Sequence, residues 1–470
     1  MKKALLFVVA LFASVMIMPA TYALEGDDFA NEATYVATVD GVNYTTLQEA
    51  IDNANGKTVT LLSDVTESIT VSEGTTVTLD LGSYTLTNKS GQHTITNNGN
   101  LTVKGSGTVD NVSHGKAAVF NDKTGVATLE SGTYTRSKEA GKDAEDSGGN
   151  SYYTIHNYGT MTIKQDVTIY NSGRFSSMVH NGFQDGAKDN LEKVTPTLVI
   201  DGGTFDGGLN TIKNDDYGIL IINDGTFKNT TQATILNWNE ATINGGTFTA
   251  DEATILNGRL ALNSDIGKLT INGGTFNAGT RGIIERMGGS LVDYGKNISI
   301  IGGTFNKEIA DRFLQISEDQ ALLQDANGNY VIADKEADYS KVDSLIDEAN
   351  QLDKSKYTDE SVKVLENAIA AVDRSKNGLE QADVDKMALD IENAINGLVE
   401  KTEEPTVPEN PDVENPDTEK TDTENPEVNE SDKNIKDEEV NPKTADNISY
   451  AYIALLISGF GVAISLKRLA

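Results

Sequence analysis

The sequence predicts a mainly β chain built around a parallel β-solenoid, followed by a small three-helix bundle. Three observations carry that expectation. A six-residue motif with a Gly turn and a Thr-Phe end recurs through the middle of the chain. An Asn returns about half a period away from it, and from Tyr339 the apolar spacing becomes helical.

The first segment, residues 1–23, has the order of a secretory signal. Lys2 and Lys3 precede an apolar run from Ala4 to Met18, Pro19 interrupts it, and Thr21-Tyr22-Ala23 offers small residues around a cleavage point after Ala23. The run is short for a permanent membrane helix. Next, Tyr44-Thr-Thr-Leu-Gln-Glu-Ala-Ile51 has the pattern of a short amphipathic helix, suited to closing the open end of a stack of coils.

The solenoid is expected over 32–334. Its motif is Ile200-Asp-Gly-Gly-Thr-Phe205, Ile222-Asn-Asp-Gly-Thr-Phe227, Ile243-Asn-Gly-Gly-Thr-Phe248, Ile271-Asn-Gly-Gly-Thr-Phe276 and Ile300-Ile-Gly-Gly-Thr-Phe305. The Phe residues are 22, 21, 28 and 29 apart. Weaker copies stand at Val103-Lys-Gly-Ser-Gly-Thr-Val109 and Leu129-Glu-Ser-Gly-Thr-Tyr134. Such segments are too short for helices and rich in β-formers. The second fixed point is Asn97, Asn121, Asn157, Asn181, Asn214, Asn237 and Asn257. If coils stack, the Phe side chains form an interior column and the Asn amides bond coil to coil, with Asn also tolerating a left-handed bend. Excess length must leave as loops, around 137–150, 183–194, 260–267 and 288–296. The stretch from Gln324 to Ile332 has the pattern of a closing hairpin.

This repeat resembles the right-handed parallel β-helix family of pectate-lyase-like architecture, in particular its bacterial cell-surface members, over roughly Glu32 to Asp334. The resemblance implies a right-handed parallel β-helix and leaves the activity open.

Residues 338–400 carry three apolar stripes: Val342, Leu345, Ile346, Ala349 and Leu352; Val362, Leu365, Ile369 and Val372; Val384, Met387, Ile391, Ile395 and Leu398. Ser340 and Thr358 read as N-caps. The three-helix pattern is similar to the helical "found in various architectures" modules of Gram-positive surface proteins, which implies spacing or ligand binding. Residues 401–440 are Pro, acidic and Asn/Thr-rich with almost nothing apolar, and should form a disordered stalk.

The chain ends with Asn441-Pro442-Lys443-Thr444-Ala445, an apolar stretch over 450–466, and Lys467-Arg468. Over 441–470 this order resembles the cell-wall sorting signal of Gram-positive surface proteins, usually Leu-Pro-any-Thr-Gly. Asn441 stands where that motif has Leu and Ala445 where it has Gly. The resemblance implies a sortase and a peptidoglycan precursor as partners, Thr444 as the residue joined to the wall, and transient membrane retention by the apolar helix with its basic end inside.

Composition narrows the chemistry. The 470 residues hold 71 acidic and 38 basic side chains, a formal net charge of −33, no Cys and four His. The acidic excess opposes nucleic-acid binding, which needs clustered Lys and Arg. Disulfides, thiol nucleophiles and thiolate metal sites are absent, and four His give little basis for zinc. No cofactor or metal ligand set is expected.

Enzymes resembling this fold cleave acidic polysaccharides through a carboxylate triad or a calcium-assisted Arg base. Asn214-Asp215-Asp216 is the nearest acidic cluster, without a following Gly-His-Gly or Arg-Ile-Lys; Arg259 and Arg281 lack a dense acidic set. No catalytic residue is therefore assigned. His156 and His180, each directly before a repeating Asn, read as surface residues flanking a turn. Tyr152, Tyr153, Tyr158 and Trp238 read as an exposed aromatic row for stacking on sugar rings. The expected function is adhesion or glycan binding by a secreted, wall-anchored protein; the alternative is a wall-anchored polysaccharide lyase or glycoside hydrolase.

Overall fold

The structure is a computed structural model, and it describes residues 34–137, 151–184, 189–258, 267–286 and 297–402. The expected signal segment, the part of the expected stalk beyond Thr402, the expected sorting segment and most of the four long insertions lie outside the described residues. Among the described residues no helix is long and apolar enough to cross a membrane. The strand stack and the helices belong to one compact unit that ends at Thr402.

The chain is mainly β: among the described residues, strands that are parallel except at the two ends stack coil upon coil into a 22-stranded and a nine-stranded sheet. Register follows the repeat. Phe205, Phe227, Phe248, Phe276 and Phe305 stand directly above one another, and so do Asn97, Asn121, Asn157, Asn181, Asn214, Asn237 and Asn257. The Phe rings are fully buried and stack at 4.7, 4.7, 4.8 and 5.2 Å. That spacing is the strand separation of a sheet, so one ring per coil fills the interior without a gap. The Thr beside each Phe stands on the opposite, outward face, from Thr204 to Thr304.

The motif's second Gly makes the turn ahead of each Phe. Gly203, Gly225, Gly246, Gly274 and Gly303 have φ of 103°, 134°, 98°, 104° and 119°, a region that side-chain-bearing residues rarely adopt. The Asn residues form the expected amide ladder but not the expected left-handed bend. None has a positive φ; each ends a strand in extended backbone. Their role is the amide ladder: Asn97 donates to Asn121, Asn121 to Asn157, Asn157 to Asn181 and Asn181 to Asn214, at 2.7–2.8 Å. Asn214 and Asn237 continue it at 2.9 and 2.8 Å. Each amide is fully buried, so the ladder leaves no polar group unpaired.

Both ends of the stack are closed. Helix α1, Leu47–Asp52, starts at Thr46 and buries Leu47, Ala50 and Ile51. Its Gln48 amide accepts from Thr70 N at 2.7 Å and donates to Thr70 O at 3.0 Å, taking the place of a further strand on the nine-stranded sheet. At the exit, Tyr330–Asp334 pairs antiparallel with Thr304–Phe305 and with Gln320–Gln324, a hairpin longer than expected from sequence.

Helices α2 (Ser340–Gln351), α3 (Asp359–Ala370) and α4 (Gln381–Asn396) follow, around a core of Val342, Ala349, Leu365, Val384, Ala388, Ile391 and Ala394. Thr358 caps α3 through its side chain. Ser340 is not the cap of α2: it is the first helical residue, and its N–H donates to the Asp338 carboxylate at 2.9 Å.

Candidate functional site

The nine-stranded sheet places one outward residue per coil, just ahead of the Asn ladder. In register these are Thr96, Phe120, His156, His180, Lys213, Leu236 and Leu256. Outward positions of a solenoid are ordinarily wet. Here the middle of the row is covered: His156 is 2% exposed and His180 0%. The two histidines are therefore not surface residues at a turn. They lie on strands Ile155–Asn157 and Val179–Asn181, beneath side chains from neighbouring turns.

The cover is aromatic. The Tyr153 ring lies flat on His180 at 4.1 Å, and the Tyr152 hydroxyl is hydrogen-bonded to His156 Nδ1 at 2.8 Å. Tyr158 meets the edge of His156 at 4.3 Å and stacks on Phe183 at 4.5 Å. The two imidazoles meet edge-on at 4.6 Å. Arg136, itself buried, donates to the carbonyls of Lys116, Ser113 and Tyr152, which ties the approach to Tyr152 to the coil below.

A carboxylate anchors the row. Asp215, directly after the ladder residue Asn214, is 0% exposed; its Oδ2 accepts from His180 Nε2 at 3.1 Å and from Lys213 Nζ at 2.5 Å. Lys213 Nζ also stands 4.2 Å from the centre of the Trp238 ring, a cation–π contact. Trp238 rests on Ala233, Leu236, Ala253 and Leu256. Gly182 holds its place by necessity, with φ 114° and a notional Cβ only 2.8 Å from the Asp215 and Asp216 carbonyls.

Burial sets the protonation of these groups. It drives His156 well below the ordinary imidazole value, assisted by the positive potential of its neighbours His180, His93 and Lys213. Burial also lowers His180, against the opposing pull of Asp215. For Asp215, burial alone would raise the carboxyl, but its His180 and Lys213 partners outweigh that and hold it low. Tyr152 is pushed up to about 12, chiefly by burial, so its phenol stays protonated at neutral pH.

Of the four aromatic residues singled out from sequence, Tyr158 and Trp238 do stand in one row, each donating its backbone N–H to the carbonyl of the ladder Asn one coil earlier. Gly182 and Asp215 occupy the two coils between them. Tyr152 and Tyr153 are not in that row, and Tyr153 is buried at 8% exposure rather than presented to solvent. His156, His180, Lys213 and Asp215 were not recognised as a group. The available signal was the ladder itself: Ile155-His-Asn, Val179-His-Asn and Ile212-Lys-Asn put those three side chains at one register position.

Beside the Tyr158–Phe183 stack lies an open groove of about 600 Å³ lined by Glu73, Asn98, Asp122, Lys123, Thr124 and Glu192, among others. Lys123 connects the two features, pairing with Glu192 and standing 5.9 Å over the Phe183 ring. Among the described residues no group of three or more His, Asp or Glu is arranged to hold a metal ion. General acid–base chemistry needs a group within about 3 Å of the substrate proton. In this arrangement His156, His180 and Asp215 are closed to solvent, and what faces outward is ring edges and groove polar groups. Comparison with protein-family models, with curated proteins and with solved structures found no match for this chain.

Proposed function

We propose that this is a secreted surface protein of a Gram-positive bacterium, joined to peptidoglycan by a sortase at Thr444, whose β-helix binds neutral or weakly charged glycans without turning them over. In this reading the solenoid is a right-handed, pectate-lyase-like β-helix, the bundle is a "found in various architectures" type spacer, and 401–440 is the stalk. The observation that carries the binding role is the pairing of partly exposed rings, Tyr152 and Tyr158, with a polar groove reached through Lys123. Sugars present apolar faces that stack on rings and hydroxyls that bond to such groups. The net charge of −33 disfavours polyanionic ligands.

A glycan array probed with the secreted chain tests this. Binding should appear for neutral oligosaccharides and fall at least tenfold in the Tyr158→Ala/Trp238→Ala double variant. Equal binding by both proteins would refute the assignment of the site. A second reading, a wall-anchored polysaccharide lyase or glycoside hydrolase, draws on the perturbed titratable groups under those rings. Release of reducing ends or unsaturated products from a polysaccharide panel would decide for it.

A further inference from the structure

We propose that the His156–His180 pair is an acid-operated release for the binding face: at neutral pH the uncharged rings hold Tyr152 and Tyr153 down, and protonation lifts that cover and discharges the ligand. This rests on the reading of the face as a binding surface and adds its control.

The geometry supplies the reason. Within the covered row the one carboxylate, Asp215, is already matched by Lys213. A proton on either imidazole therefore leaves the row with a net positive charge, because the Asp215 carboxylate that bonds His180 is shared with Lys213. Two ring nitrogens, His156 Nε2 and His180 Nδ1, are buried with no hydrogen-bond partner. His180 uses Nε2 on Asp215, so a proton arriving at Nδ1 finds no acceptor. His156 Nδ1 is engaged with the Tyr152 hydroxyl, a group that can donate or accept, so in the imidazolium it is Nε2–H that finds no acceptor. In either case the new N–H is satisfied only by water, which requires the cover to open.

The charges facing the pair from the surrounding coils reinforce this. Lys213 acts on both rings, and His93, two coils before His156, acts on it as well. His93 is itself pressed down to about 4 by burial and by Lys116 and Arg136. Asp122 and Asp189 act on the far side of Tyr158, at the solvent edge. Asp215 titrates below the ordinary carboxylate range, and so keeps its charge throughout the window in which the imidazoles change.

The direction follows from linkage. The closed state keeps both imidazoles neutral, and the open state takes protons near the ordinary 6.5, so closure is complete above that value and weakens as pH falls below it. Each such imidazole favours opening about fivefold more at pH 5.5 than at pH 6.5, so two give about thirtyfold over that interval.

Trp238 is the sole tryptophan and contacts Lys213, so its emission reports on the row without any ligand. The secreted chain should be titrated from pH 7.5 to 5.0 by tryptophan emission, with hydrogen exchange followed at residues 151–158. The expected result is an emission transition and an at least tenfold loss of exchange protection, relative to the intrinsic amide rate at each pH, below pH 6.5, both reversed on returning to pH 7.5. In His156→Phe/His180→Gln, which keeps a ring beside Phe120 and a donor for Asp215, the transition should disappear. If the double variant is not secreted, His156→Phe alone should show about half the steepness. Flat emission and exchange in the parent, or an unaltered transition in the variants, would overturn the proposal. Because neither readout uses a glycan, failure of the array sinks the binding reading alone, and a flat titration sinks the release alone.

Discussion

Asp215 shows how a single side chain sets the chemistry around it. It sits one residue past a ladder Asn, so the stacking of the coils, rather than any local preference, delivers it between Lys213 and His180. Removing one member of a buried charge pair leaves the other unpaired in a low-dielectric site. Asp215→Ala is therefore expected to cost about 3–5 kcal/mol at this coil, and Asp215→Asn less, because an amide oxygen still accepts. Urea unfolding with hydrogen exchange at residues 210–216 measures this; an unchanged midpoint and unchanged exchange would show that the pair contributes nothing. The histidines illustrate the opposite error. Read as neighbours of a turn they belonged at the surface, whereas in the structure Tyr152 roofs His156 from its own coil and Tyr153 roofs His180 from the coil before, directions that no pattern in the chain specifies.

At the scale of elements, each coil adds the same three supports: an inward Phe or aliphatic residue, a ladder Asn and a Gly turn. Phe248 lies in the middle of its column, between Phe227 at 4.7 Å and Phe276 at 4.8 Å. Truncation to Ala should cost about 3–5 kcal/mol, as for other buried aromatics. Coils touch mainly their neighbours, so the loss should be local. Faster exchange at residues 226–229, 247–250 and 275–278, with the helical bundle unaffected, is the expected pattern; uniform loosening of the whole chain would contradict it. The element boundaries that shifted from expectation did so at ends. The α1 start moved to Thr46 because its hydroxyl accepts from Glu49 N, and the α2 cap moved to Tyr339 because Ser340 is already helical, with its N–H bonded to the Asp338 carboxylate.

For the whole molecule, the consequential proposal concerns where the chain is held. The sorting segment lies outside the described residues, so its test is cellular. In cells, Thr444→Ala should leave the protein in the membrane fraction, released by detergent and not by wall digestion. Release of that variant only after muralytic digestion would end the sortase assignment. Display on a wall would also present many copies side by side, which raises the avidity of weak single contacts.

The stacking of this chain was legible in its letters. Motif spacing, the Phe column, the Asn ladder and the three helical stripes each depend on residue type and on distance along the chain, and short-range conformational preferences with a fixed period convert those directly into register. The aromatic row was half legible for the same reason: Tyr158 and Trp238 share a ladder position, while Tyr152 and Tyr153 do not. Only the tertiary structure decided what is covered. Whether an outward His faces water or a tyrosine depends on side chains brought in from other coils, 24 residues away between His156 and His180 and 35 between His180 and Asp215. Burial then fixes protonation, because removing a charge from water costs far more than any preference written into the local sequence.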